Sequence, residues 1–102
     1  MVFTHNNKYF VQARRSKFLN GLYGFVEYDA GTYTATWGKG NYPILKKNYI
    51  GTVSQSYSHF TLQAEVYKIP VKPAIGVRWK TLAELAKLPL SRADSKIVQL
   101  LS

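Results

Sequence analysis

The feature that most constrains this chain is the alternation that opens at Phe60. Leu62, Ala64 and Val66 fall on one face of an extended segment while Thr61, Gln63, Glu65 and Tyr67 fall on the other, the period of a half-buried strand. Tyr49 to Ser56 also reads as a strand, so Tyr57-Ser58-His59-Phe60 joins two sheet elements. A polar Ser-His pair at the mouth of such a strand is carried on a rigid scaffold, which is where a small domain can place groups that meet a ligand.

The chain has 102 residues, enough for one hydrophobic core and one domain over 1–102. It contains no cysteine, which excludes disulfides, a thiolate nucleophile, cysteine-ligated zinc and a cysteine-held iron–sulfur cluster within these residues. Fourteen Lys and Arg against five Asp and Glu give a formal charge of +9, spread along the chain rather than gathered in a tail. With eight Tyr and five Phe beside that charge, a nucleic acid is the expected partner. No apolar run approaches the ~20 residues of a membrane span, and the first residues do not form a signal sequence, so a soluble intracellular module is expected.

Taken in order, Val2-Phe3 and Lys8 to Arg14 read as hairpin arms around His5-Asn6-Asn7, because Asn tolerates the left-handed conformations of a tight reversal. Apolar groups on both faces of the second arm predict a central strand covered on both sides. Arg14-Arg15-Ser16-Lys17 then forms a basic loop, either solvated or in contact with phosphate, and Leu22 to Tyr28 a third strand. Residues 29 to 48, interrupted by Gly31, Gly38, Gly40 and Pro43, predict an irregular excursion with at most one short strand. Thr81 followed by Glu84 is a capping box opening a short helix to about Lys87, and Ser91 opens a closing amphipathic helix carrying Ala93, Ile97, Val98, Leu100 and Leu101.

Three chemistries can be tested on these residues. A Nudix hydrolase box needs carboxylates clustered on one helix to hold divalent metal beside a pyrophosphate. Laid from Gly21, the pattern keeps Glu27 but puts Ala35-Thr36 where its Arg-Glu belongs and Lys39-Gly40 where its Glu-Glu belongs, so the metal ligands are missing. Tyr23-Gly24-Phe25-Val26-Glu27-Tyr28 matches part of the aromatic octapeptide of RNA-recognition motifs, yet no helix precedes it as that fold requires. Ser58 and His59 do not make a hydrolytic pair, since adjacent strand residues point to opposite faces. The two histidines, without cysteine or clustered carboxylates, also make a poor metal site.

Several segments together resemble the C-terminal domain of MutY-type adenine DNA glycosylases. The similar residues are Tyr9 to Arg15 with Gly21-Leu22-Tyr23-Gly24-Phe25, then Tyr57-Ser58-His59-Phe60, then Trp79 with Leu82 to Leu85 and Leu88-Pro89, and finally Lys96-Ile97 with Leu100-Leu101. Val26 stands where the family has Pro, and residues 29 to 48 depart from its pattern. The resemblance implies an α+β fold, a Nudix-like mixed β-sheet packed against a C-terminal helix and a short preceding helix. It implies a non-catalytic module that reads 8-oxoguanine opposite adenine in double-stranded DNA, as a monomer. The catalytic domain of the same polypeptide would carry the 4Fe-4S cluster and remove the adenine, placing the protein with bacterial nucleoid DNA in the cytoplasm. Ser58 would reach the oxidised base, Tyr57 would wedge or stack, and His59 would orient the loop or approach the backbone. Arg14, Arg15 and Lys17 would contact phosphates. A general RNA- or single-strand-binding module using Tyr23, Phe25 and Tyr28 as a stacking surface is the alternative, and a protein-interaction module is a third.

Overall fold

A computed structural model describes residues 1–13, 22–28, 31–73 and 76–102. Its centre is a four-stranded mixed sheet of β1 (Val2–His5), β2 (Lys8–Tyr9), β7 (Tyr49–Ser56) and β8 (Thr61–Pro70) in the order β2-β1-β8-β7. β1 runs antiparallel to β2 and parallel to β8, and β7 runs antiparallel to β8. Two small pairs complete the strands: β3 (Gln12–Ala13) with β4 (Tyr23–Gly24), and β5 (Thr34–Trp37) with β6 (Gly40–Pro43). Helices α1 (Leu82–Leu85) and α2 (Arg92–Leu101) close the chain. The architecture is the α+β, Nudix-like mixed sheet with a short helix before a C-terminal one that the resemblance implies.

Both hairpin arms at the start form, and His5 pairs with Lys8 across a turn in which Asn6 has φ 50° and Asn7 φ 60°. Two successive left-handed residues match the right-handed twist of the flanking strands, and Asn accepts that conformation at low cost. The second arm is not the central strand its apolar faces predict. β2 stops at Tyr9 on the outer edge of the sheet, and β3 pairs elsewhere with β4. The double coverage is real, however: Tyr9 and Val11 enter one core and Phe10 packs against the other.

The sheet thus separates two hydrophobic layers. Alternation sends Val2, Val53 and Val66 to one face, where Phe25, Leu85 and Ile97 cover them. It sends Phe3 and Ile69 to the other, where Ala35, Trp37 and Val71 are buried. Each such side chain, fully buried, contributes about 1.5 to 3 kcal/mol before ordering entropy is set against it. α2 is seated on its face by the spacing of Ala93 and Ile97 and by Gly51, since the position of a Cβ there would lie 3.1 Å from the Leu100 methyls.

Two further expectations are corrected. The strand predicted over Leu22 to Tyr28 is paired only at Tyr23–Gly24 among the described residues, because Phe25 turns under α2, where Asp94 Oδ1 accepts its N–H at 3.4 Å. Within 29 to 48 the chain forms the β5–β6 hairpin and a 3-10 turn at Lys46–Asn48 rather than an irregular excursion. Thr34 and Thr36 face outward while Ala35 and Trp37 are buried, and Gly38 at φ 58° supplies the reversal. The glycines there mark a turn between strands, not an absence of structure. The Thr81 capping box is present as predicted, with reciprocal bonds of 3.2 and 3.1 Å between Thr81 and Glu84, but α1 ends at Leu85, short of Lys87.

Candidate nucleic-acid interface

Tyr57-Ser58-His59-Phe60 is the tip of the hairpin between β7 and β8. The ladder runs to the Ser56–Thr61 pair, whose hydroxyls lie 3.3 Å apart, and one more bond follows as the Tyr57 N–H donates to the Phe60 carbonyl at 2.7 Å. Ser58 and His59 occupy the reversal itself and are exposed. The Tyr57 and Phe60 rings lie beside each other, centroids 5.0 Å apart at 32°.

Tyr57 also ties this tip to the rest of the molecule. Its hydroxyl accepts the backbone N–H of Ala93 at 3.3 Å. Ala93 lies in the first turn of α2, where backbone N–H groups have no intrahelical acceptor, so a phenol oxygen there satisfies a donor that would otherwise need water. Lower on the same edge, the Lys96 ammonium donates to the Ser54 carbonyl at 2.5 Å. The hairpin and α2 are thereby joined at two levels, and Tyr57, half-buried, is the upper join.

Beneath α2 the first turn is held from inside. The Ser91 Oγ accepts the Asp94 N–H at 3.1 Å and donates to Asp94 Oδ2 at 2.6 Å, while Asp94 is 1% exposed. The sequence marks Ser91 as a cap but signals no further role for Asp94; its long-range bond to Phe25 depends on a contact no local pattern announces.

An open cleft of about 940 Å³ runs between Phe25–Tyr28 and β8, with Asp94 and Ile97 in its wall. Glu27 lines it and is exposed. On its rim Tyr67 donates to Glu65 Oε2 at 3.2 Å and lies edge-on to Tyr49, 5.6 Å between centroids. Partial desolvation first, then the bond and charge of Glu65, push the Tyr67 phenol above its ordinary value.

The structure therefore brings together Tyr57, Ser58 and His59. Arg14, Arg15 and Lys17 lie outside the described residues. Of the aromatic set in the alternative reading, Tyr23 is 38% exposed, but Phe25 is 1% exposed and offers no ring face to a base. The Tyr28 hydroxyl is engaged by the backbone of Thr36, accepting its N–H at 3.2 Å. The positions of the missing Arg-Glu and Glu-Glu are also fixed in space. Ala35 and Thr36 lie in β5, Lys39 in the turn after it, and Gly40 begins β6, so a β-hairpin occupies the stretch where a Nudix hydrolase presents its metal-binding helix. Among the described residues no group of three or more His, Asp or Glu side chains could hold a metal ion, and no helix is long and apolar enough to cross a membrane.

A mixed sheet with helices on one face and an exposed hairpin tip tied to the last helix is an α+β domain, consistent with a Nudix-like fold. A family model for the NUDIX domain matches residues 1–100, and the chain belongs to that family. Comparison with curated proteins and with solved structures gave no match.

Proposed function

We propose that this NUDIX-family domain is a non-catalytic DNA-binding module that recognises 8-oxoguanine opposite adenine, as the lesion-reading part of an A/G-specific adenine DNA glycosylase in base excision repair. The observation that carries the reading is the exposed Ser58 at a hairpin tip that Tyr57 clamps to α2. A hydroxyl can donate to or accept from the altered edge of an oxidised purine, and a pre-ordered loop avoids the entropy of ordering it on contact. Tyr57 serves chiefly as the anchor of the loop, with one face of the Tyr57–Phe60 pair beside the base step, and His59 approaches the backbone next to Ser58. Arg14, Arg15 and Lys17 supply phosphate contacts. The lost box carboxylates are consistent with a module that binds without cleaving, and the adenine would be removed by a catalytic domain of the same polypeptide holding a 4Fe-4S cluster.

The test is a titration of the labelled domain with an 8-oxoguanine:adenine duplex, the same duplex unmodified, and single-stranded RNA, following backbone amide shifts. Shifts should centre on residues 57 to 60 and be larger for the lesion duplex. Ser58→Ala should lower the lesion preference by about 1 kcal/mol, the worth of one hydrogen bond, with thermal stability unchanged. Equal shifts for both duplexes, or a preference for RNA centred on residues 23 to 28, would overturn the reading.

A further inference from the structure

At the far end of β8 from the Ser58 tip, the chain gathers basic residues from four separate segments around the β1–β2 turn. His5 pairs with Lys8 across that turn. The His5 Nδ1 lies 3.2 Å from the Val71 carbonyl, which can only accept, so Nδ1 carries the proton and the ring is held in one orientation. Lys72 follows Val71 directly and is exposed. Tyr9 and Lys80 exchange two backbone bonds of 2.7 and 2.8 Å, which brings Arg78-Trp79-Lys80 alongside β2. The Trp79 indole then lies 5.8 Å from the His5 ring and 5.2 Å from Trp37, between centroids. Lys8, Lys72 and Arg78 are exposed and Lys80 half-exposed.

Among the described residues, carboxylates do not neutralise this cluster. Glu84 is the one close enough to feel Lys80 and Lys8, and it is already committed to the N–H and hydroxyl of Thr81. Glu27, Glu65 and Asp94 all line the cleft beside β8. Folding therefore holds several like charges together with one shared counter-charge, an arrangement that is stable chiefly when solvated or facing an anion.

We infer that the surface formed by His5, Lys8, Lys72, Arg78 and Lys80 along the β2 edge of the sheet is a second nucleic-acid contact, taking the phosphate backbone of duplex DNA without regard to sequence. A backbone fits better than a single small anion because the cations project from separate segments rather than converging on one point, and a duplex offers phosphates in a row. β8, ten residues long, separates this surface from the Ser58 tip by about 30 Å. The inference needs a duplex ligand but nothing from the lesion reading.

The experiment is the salt dependence of binding to an unmodified duplex. Replacing Lys8, Arg78 and Lys80 together by Gln should flatten the slope of log K against log salt by about 0.9 for each phosphate no longer neutralised, two to three in all. A control losing charge at Lys46 and Lys47, both exposed and outside the two proposed contacts, should flatten it by less than half as much per charge removed. In the unaltered domain, amides of residues 5–8, 72 and 78–80 and the Trp79 indole N–H should shift with the same duplex. Slopes that fall equally per charge in the two variants, or shifts absent from this surface, would overturn the inference, as would a patch that binds an acidic peptide and not DNA. A Ser58→Ala variant keeps the slope in either case, so failure here and failure of the lesion reading are told apart.

Discussion

The two faces of the central sheet are covered by different materials. On one, Val2, Val53, Val66, Leu85 and Ile97 form an aliphatic layer under α1 and α2, with Phe25 beneath Asp94. On the other, the Trp37 ring centroid lies 4.9 Å from those of Phe3 and Phe10 and 5.2 Å from that of Trp79, an aromatic layer under the β5–β6 hairpin. Aliphatic burial is non-directional, so period and caps place the helix cover, to which the Tyr57, Lys96 and Asp94 bonds are added. The aromatic cover depends on aimed polar groups: the Trp37 indole N–H donates to the Lys72 carbonyl at 2.8 Å, and the Tyr42 hydroxyl accepts the Lys72 N–H at 3.2 Å. The helices of one layer are signalled locally along the chain, while the hairpin of the other is held by a partner distant in sequence.

That difference can be broken by truncation. Trp37→Ala removes the centre of the aromatic layer and leaves the Lys72 carbonyl without its partner, and it should lower unfolding free energy by about 3 to 5 kcal/mol in a denaturant titration. Leu85→Ala, at a site 0% exposed, should cost about 2 to 5 kcal/mol. Hydrogen exchange separates the layers further. Trp37→Ala should speed exchange of the β5–β6 amides well before those of α2, and Leu85→Ala the reverse. Uniform acceleration in both variants would mean that the layers open as one unit and the comparison has no energetic content.

The same contrast governs what the sequence makes legible. β7 and β8 can be read because Val53, Ala64 and Val66 alternate with polar neighbours, and both helices because Thr81-Glu84 and Ser91-Asp94 are local signals. β5 and β6 cannot, although Thr-Ala-Thr-Trp alternates, because their stability rests on Lys72, thirty-five residues from Trp37. The edge position of β2 is hidden for a related reason: its two apolar faces reflect two cores, while strand order is set by pairing with β1. At the hairpin tip the positions of Ser58 and His59 follow from the strand pattern. The anchoring of Tyr57 by Ala93 does not, since no spacing within one strand predicts which helix end its hydroxyl will meet.

Within the aliphatic layer the two helix caps offer a finer comparison. Ser91 is 4% exposed and bonded twice to Asp94, so Ser91→Ala removes both a cap and a donor to a buried carboxylate; a loss of about 1 to 2 kcal/mol is expected in thermal or denaturant unfolding. A stability equal to the unaltered chain would show that α2 is held by packing alone.

The smallest effect belongs to the exposed cap of α1. The Thr81 backbone N–H holds the Glu84 carboxyl below its ordinary range; slight desolvation opposes this, and the Thr81 hydroxyl, Lys80 and Lys8 add to the lowering. A carboxylate whose folded value is depressed contributes stability that is present above its unfolded value and lost as pH falls through the folded one. Unfolding midpoints should therefore drop slightly as pH passes downward through and below the ordinary carboxylate range, and less at high salt, which screens the lysine part first. Glu84→Gln keeps an acceptor for the Thr81 N–H but cannot titrate, so its midpoint should lose that share of the acid response. An identical acid profile for the variant would leave the α1 cap to geometry alone.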